Sequence, residues 1–221
     1  MFIKKISFFN VRKIKLFRED FIPQTNIIIG PNGSGKTSIL EAVVFLTTGK
    51  SFRKKHAQSI IRKEEKELQI KGKLTTKEDN VIKLIYDGKK KQIFRNNTII
   101  KKTTDLIREN SIVYISPEET DIIEEYKKEK QQYFDKIIFK IIPEHIKNIK
   151  EYNKLLLYRN TLLENNMPTT PWDEKLISAG MEVWHTRSSF FKDFIKILVE
   201  TQKKLHIDIN YKIIYTPKAQ E

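Results

Sequence analysis

Eight consecutive residues carry the clearest chemistry in this sequence: Gly30-Pro31-Asn32-Gly33-Ser34-Gly35-Lys36-Thr37. They fit the spacing G-x-x-x-x-G-K-[ST], and each residue type there has a mechanical reason. A loop that wraps a phosphate must turn its backbone N–H groups inward. Glycine permits the dihedrals this needs, with no Cβ in the way. Lys36 adds a point charge for β- and γ-phosphates, and the Thr37 hydroxyl is a hard oxygen ligand suited to Mg²⁺. A helix starting here aims its N-terminal dipole at the same anion. Three of the chain's 7 glycines sit in this one loop. The pattern predicts a nucleotide site over residues 30–38, Ser38 included. No Asn-Lys-x-Asp element, the usual guanine reader, occurs, which favours ATP.

The flanking segments have the periods such a loop needs. Asn26-Ile27-Ile28-Ile29 is a short, uniformly apolar run, expected to be a strand buried on both faces. After the loop, Ile39, Leu40, Val43, Val44 and Leu46 recur at spacings of three and four. That predicts an amphipathic helix, stopped by Thr47-Thr48-Gly49. Residues 1–29 are expected to be strands, with Lys13-Ile14-Lys15-Leu16 alternating and Pro23 and Gln24 as a break. Residues 66–100 are expected to form antiparallel hairpins, with Asp87-Gly88 as a two-residue turn. Residues 111–115 predict another strand. Helical spacing fills 118–165, interrupted at Pro143, and 172–204. Alternation returns over 205–215 and predicts a strand.

The expected fold class is α/β: a P-loop core, antiparallel hairpins beside it and a helical arm. The expected domains are 1–117 as the P-loop lobe with its hairpins, 118–204 as the arm, and 205–221 as the opening strand region of a second lobe.

The composition excludes several classes. With 221 residues and 39% hydrophobic residues, the chain has enough apolar content for a real core. No apolar run approaches a membrane span, and no signal peptide opens the chain. Cys is 0, which removes disulfides and thiolate chemistry. The expected address is the cytoplasm, with no membrane partner. The four histidines are scattered, without metal-ligand spacing. The net charge of 42 − 28 = +14 has two readings. It suits a polyanionic partner. It also suits an AT-rich codon bias, because 34 of the 42 basic residues are Lys, and Ile outnumbers Ala by 34 to 4. Lys54-Lys55, Lys89-Lys90-Lys91 and Lys101-Lys102 are either phosphate-tracking runs or solvated faces.

Further motifs, in order, resemble the RecF family. Phe9-Asn10-Val11-Arg12-Lys13 resembles its Asn-Phe-Arg-Asn element. Ser38-Ile39-Leu40-Glu41-Ala42 follows the P-loop. Gly49-Lys50-Ser51-Phe52-Arg53 resembles Gly-Arg-Ser-Phe-Arg, and Ser116-Pro117-Glu118-Glu119 resembles Ser-Pro-Glu-Asp. Tyr152, Arg159-Asn160 and Leu162-Leu163 fit one helical motif. Trp172-Asp173, Leu176, Gly180 and Arg187 fit another.

The resemblance implies an SMC/Rad50-like ABC ATPase head of the first-lobe type, binding ATP and Mg²⁺. It implies an ATP-dependent homodimer that binds duplex DNA or single/double-strand junctions, with a RecR-type mediator as partner. The process is recombinational gap repair, replication and the SOS response, by assisting RecA loading. Arg12 and Arg53, scarce arginines in matched motifs, with Lys54 and Lys55, are the candidate DNA contacts.

Two departures stand out. Lys130-Gln131-Gln132-Tyr133-Phe134-Asp135 replaces the family's Arg-Arg-x-Phe-Leu-Asp. Neither the Leu-Ser-x-Gly-Gln signature nor a Walker B strand occurs, so no catalytic set is complete and hydrolysis is expected to be deficient. The expectation is an N-terminal fragment, marginally stable alone. The alternatives are a chromosome or DNA-end-processing head of the SMC/Rad50 class, or a P-loop small-molecule kinase or transporter subunit.

Overall fold

Apolar residues at alternate positions give the first half its sheet, because period two puts them all on one face. The structure, a computed structural model, describes residues 2–53, 60–75, 79–110, 112–115, 127–209 and 213–216. The strands are β1 (Phe2–Val11), β2 (Ile14–Asp20), β3 (Leu68–Thr75), β4 (Asp79–Tyr86), β5 (Lys91–Arg95) and β6 (Thr98–Ile99). They form one antiparallel sheet in the order β2-β1-β3-β4-β5-β6. The helices are α1 (Lys36–Thr48), α2 (Thr103–Glu109), α3 (Lys127–Ile141), α4 (His145–Glu164) and α5 (Thr170–Lys204). The chain divides into two units, Met1–Ser116 and Pro117–Glu221.

In the first unit, Ile6 and Phe8 of β1, Leu68, Ile70 and Leu74 of β3, and Ile82 and Leu84 of β4 share one buried core with Ile39, Ala42, Phe45 and Leu46 of α1. Helix and sheet pack tightly at Gly72, where an added Cβ would collide with Leu46 Cδ2. The α/β class with antiparallel hairpins is as the sequence predicts.

The turns differ in detail. Tyr86 pairs with Lys91, so the loop between β4 and β5 is four residues long rather than two. Asp87 Oδ1 closes it by accepting from the N–H groups of Lys89 (2.8 Å) and Lys90 (2.6 Å). The two-residue turn is instead Asn96-Asn97, with φ of 44° and 69°, between β5 and β6. Asparagine tolerates this left-handed region better than most side chains.

Three expected strands do not form among the described residues. Residues 26–29 and 112–115 lie outside the ladder, with Ile27 79%, Ile29 88% and Val113 87% exposed. At the far end α5 runs through Lys204, and the described residues of 205–215 join no strand ladder. Local sequence extends a segment, but a strand exists only when a neighbour takes its N–H and C=O groups. The described residues of these segments pack against neighbours without joining a ladder.

In the second unit Pro143 ends α3, since it has no N–H to continue the ladder. The helices are pinned by ion pairs and rings. Arg187 donates to both Asp135 oxygens at 2.8 Å, and His145 Nε2 stands 2.9 Å from Asp135 Oδ1. With its amide oxygen turned inward, Gln131 accepts from Arg187 as well. Arg159 pairs with Asp173, Tyr158 stacks on Trp172, and Gly180 lies under the Tyr152 ring. Phe134 packs among Phe190, Phe191 and Phe194.

Burial opposes ionisation of Asp135. Its bonds with His145 and Arg187, and the Arg187 charge, outweigh that and hold the carboxyl below the usual carboxylate range. A depressed folded pKa stabilises above the unfolded value near ~4, and the gain is lost as pH falls through the lower folded value. Urea unfolding of Arg187→Ala is expected to show a loss of about 3 kcal/mol at pH 7, and the loss is expected to shrink progressively as pH falls below about 4. Gly72→Ala is expected to cost roughly 1–3 kcal/mol by overpacking, read as a lower thermal midpoint.

Candidate nucleotide-binding site

The loop from Gly30 to Gly35 takes its shape from its glycines. Gly33 and Gly35 have φ of 77° and 106°, where a side chain is strained. A Cβ on Gly35 would also stand 2.9 Å from Ile14 Cδ1. The Ser34 N–H donates to the Pro31 carbonyl at 3.1 Å, closing the turn. Gly35 then caps α1, which has no side-chain cap and no acidic residue in its first turn. The first N–H groups of a helix have no acceptor within it. Here they end at a glycine-rich loop, a donor set that suits an anion.

Lys36 Nζ donates back to the carbonyls of Gly30 (2.7 Å) and Pro31 (2.9 Å). Thr37 is exposed, and Ser38 is buried. Residues 30–38 therefore meet at one place, with donors, a cation and a hydroxyl together. Among the described residues no group of three or more His, Asp or Glu side chains is placed to hold a metal ion.

Lys13 is an element that spacing alone did not single out. It lies in the turn between β1 and β2, and its Nζ stands 3.8 Å from the position a Gly33 Cβ would take. Its neighbour Arg12, at φ 54°, turns the other way. The Arg12 guanidinium grips Glu41 of α1 with two hydrogen bonds, 2.9 and 2.6 Å. Glu41 is wholly buried, and the Arg12 side chain is 14% exposed. The Ser51 hydroxyl donates to the same carboxylate at 2.5 Å and accepts from the Arg53 N–H at 3.1 Å.

The four candidate DNA contacts thus have different fates. Arg12 is committed inward to Glu41. Arg53 lines a cavity with Lys50 and Lys91. Lys54 and Lys55, like Ser116-Pro117-Glu118-Glu119, lie outside the described residues. Glu41 was legible as an oddity: an acid between Ile39 and Ala42 on the buried stripe of α1 needs a cation.

Residues 2–137 match the family described as the RecF/RecN/SMC N-terminal domain. The chain belongs to that family. Among curated proteins of the RecF/RecN/SMC type, it is 30% identical over 214 residues to the DNA replication and repair protein RecF of Clostridioides difficile (strain 630), covering 95% of this chain and 57% of that protein. It is 31% identical over 195 residues to the protein of the same name from Leptospira interrogans, covering 85% and 53%. A solved structure of the recombination mediator protein RecF with ATP, in the RecFOR pathway, superposes with a TM-score of 0.81 at 25% identity, covering 93% of this chain and 58% of that one. The chain thus spans little more than half the length of these relatives. No helix among the described residues is long and apolar enough to cross a membrane.

The Glu41 contacts make a stability prediction. Glu41→Ala removes the buried carboxylate that Arg12 and Ser51 both bond and is expected to cost about 3–5 kcal/mol. Denaturant unfolding checks it, and Glu41→Gln, which keeps an acceptor, is expected to lose less.

Proposed function

We propose that this chain is the nucleotide-binding part of an ATP-controlled DNA-binding protein of recombinational repair. The observation that carries the reading is the loop itself. Two glycines at positive φ, a lysine and a threonine meet at the uncapped start of α1, in a chain of the RecF/RecN/SMC family. Backbone N–H groups of residues 32–37 hold the phosphates. Lys36 exchanges its two carbonyl acceptors for phosphate oxygens, and Lys13 adds a second positive charge on the Gly33 side. Thr37 supplies one oxygen to Mg²⁺, and the nucleotide phosphates supply others. The ion screens the phosphate charge when bound. Residues 30–38 take the cofactor role as a unit, and Arg12 acts through Glu41 by fixing where Lys13 sits.

Residues 1–117 serve as the ATPase lobe, 118–204 as an arm, and 205–221 as the entry to a second lobe. The protein works in the cytoplasm as an ATP-dependent dimer on duplex or junction DNA, with a RecR-type mediator, in gap repair, replication and the SOS response. The relatives' name, DNA replication and repair protein, supports the repair and replication part of this reading, and the match to RecF with ATP supports the nucleotide. Hydrolysis is expected to be slight in the 221 residues alone.

Titration with a fluorescent ATP analogue and Mg²⁺ tests the site. Lys36→Ala is expected to weaken binding at least ~10-fold, as befits loss of a charge-assisted contact of about 1.5–3 kcal/mol. Thr37→Ala is expected to remove most of the Mg²⁺ dependence. Equal affinity in wild type and Lys36→Ala would defeat the reading.

A further inference from the structure

At the C-terminal end of α1, whose 13 residues span about 20 Å, lies a cavity of about 310 Å³. Phe45, Gly49, Lys50, Ser51, Arg53, Tyr86 and Lys91 line it. Its floor is rigid: Phe45 and Tyr86 meet edge to face at 5.6 Å, and the Tyr86 hydroxyl donates to the Gly88 carbonyl at 2.9 Å. Among the described residues its walls carry three cations and no carboxylate. Two basic runs that are far apart in the sequence supply them, Lys50 and Arg53 from one and Lys91 from the other.

Among the described residues no carboxylate neutralises this charge from behind. Glu41, reached through Ser51, is wholly buried and already paired with Arg12. Elsewhere Arg62, Arg159 and Arg187 each meet a carboxylate. The Lys91 ammonium donates to the Gly49 carbonyl at 2.8 Å. Burial, then the charge of Lys50, push it below the usual lysine range. Positive groups gathered in a cavity without an acid favour an anion. The volume suits a phosphate ester with its sugar, and the aromatic floor suits the apolar side of such a group.

We propose that this cavity is a second phosphate-ester site, separate from the nucleotide loop, in which Lys50, Arg53 and Lys91 hold the phosphate. The ester is either a backbone phosphate of nucleic acid or the phosphate of a free mononucleotide. The first source rests on the DNA-binding reading above; the second does not.

Two arms separate them. In the first, a fluorescein-labelled 20-base-pair duplex is titrated with wild type, Arg53→Ala and Lys50→Ala across a salt series. Loss of one phosphate contact is expected to weaken binding several-fold to ~10-fold and to lower the salt slope by about one. In the second arm, deoxyadenosine monophosphate is titrated into Lys36→Ala protein by amide NMR. Shifts at Ser51, Arg53 and Lys91 that vanish with added Arg53→Ala assign the site to a free mononucleotide. Duplex binding unchanged in both variants, together with no such shifts, overturns the proposal. If the wild type binds no duplex yet the shifts appear, the DNA reading fails and the cavity assignment stands. Circular dichroism melts of Arg53→Ala and Arg53→Gln at the wild-type midpoint show that the fold is intact.

Discussion

An ionised carboxylate with no exposure must have a cation and hydrogen bonds at hand, or it will not stay charged. Glu41 meets that demand with Arg12 and Ser51, and much of the first unit is arranged by how it does so. Arg12 comes from the turn after β1, Glu41 from the middle of α1, and Ser51 from the segment beyond it. One carboxylate thus ties three stretches of chain to a point. The turn that delivers Arg12 inward also sets Lys13 and Ile14 against Gly33 and Gly35. The phosphate loop is therefore shaped from outside as well as by its own glycines.

Helix α1 links two regions of opposite helical polarity that both gather positive charge. At its start, free N–H groups, Lys36 and Lys13 lie together. At its end, Gly49 takes φ 66° and its carbonyl faces Lys91. A cation at a helix C-terminus is ordinary on dipole grounds. What dipole grounds do not require is the company of Lys50 and Arg53. The sheet beneath holds both ends in place, because Ile39, Phe45 and Leu46 are buried on the same strands.

Much of this was legible in the sequence where the cause is local. The glycine loop and the helix after it follow from spacing, and the hairpins of β3 to β5 follow from alternation. The Asn96-Asn97 turn was a local signal too, overlooked beside the more familiar Asp87-Gly88. Pairing across distance was not legible. Nothing in Asn26-Ile27-Ile28-Ile29 says whether a neighbour will take its backbone groups. Nothing in Glu41 names Arg12, 29 positions away, as its partner. The arm shows the same limit: Arg159, Asp173, Gly180, Asp135 and Arg187 could be matched as motifs, but only the structure pairs them as the contacts between helices.

Lys36 bends back onto the carbonyls of Gly30 and Pro31, and this bears on the energetics of capture. The ammonium is already solvated by the loop, so an arriving phosphate is a competitor rather than a filler. The hydrogen bonds gained are offset by those surrendered, and the net gain rests on charge. The side chain is also already in one rotamer.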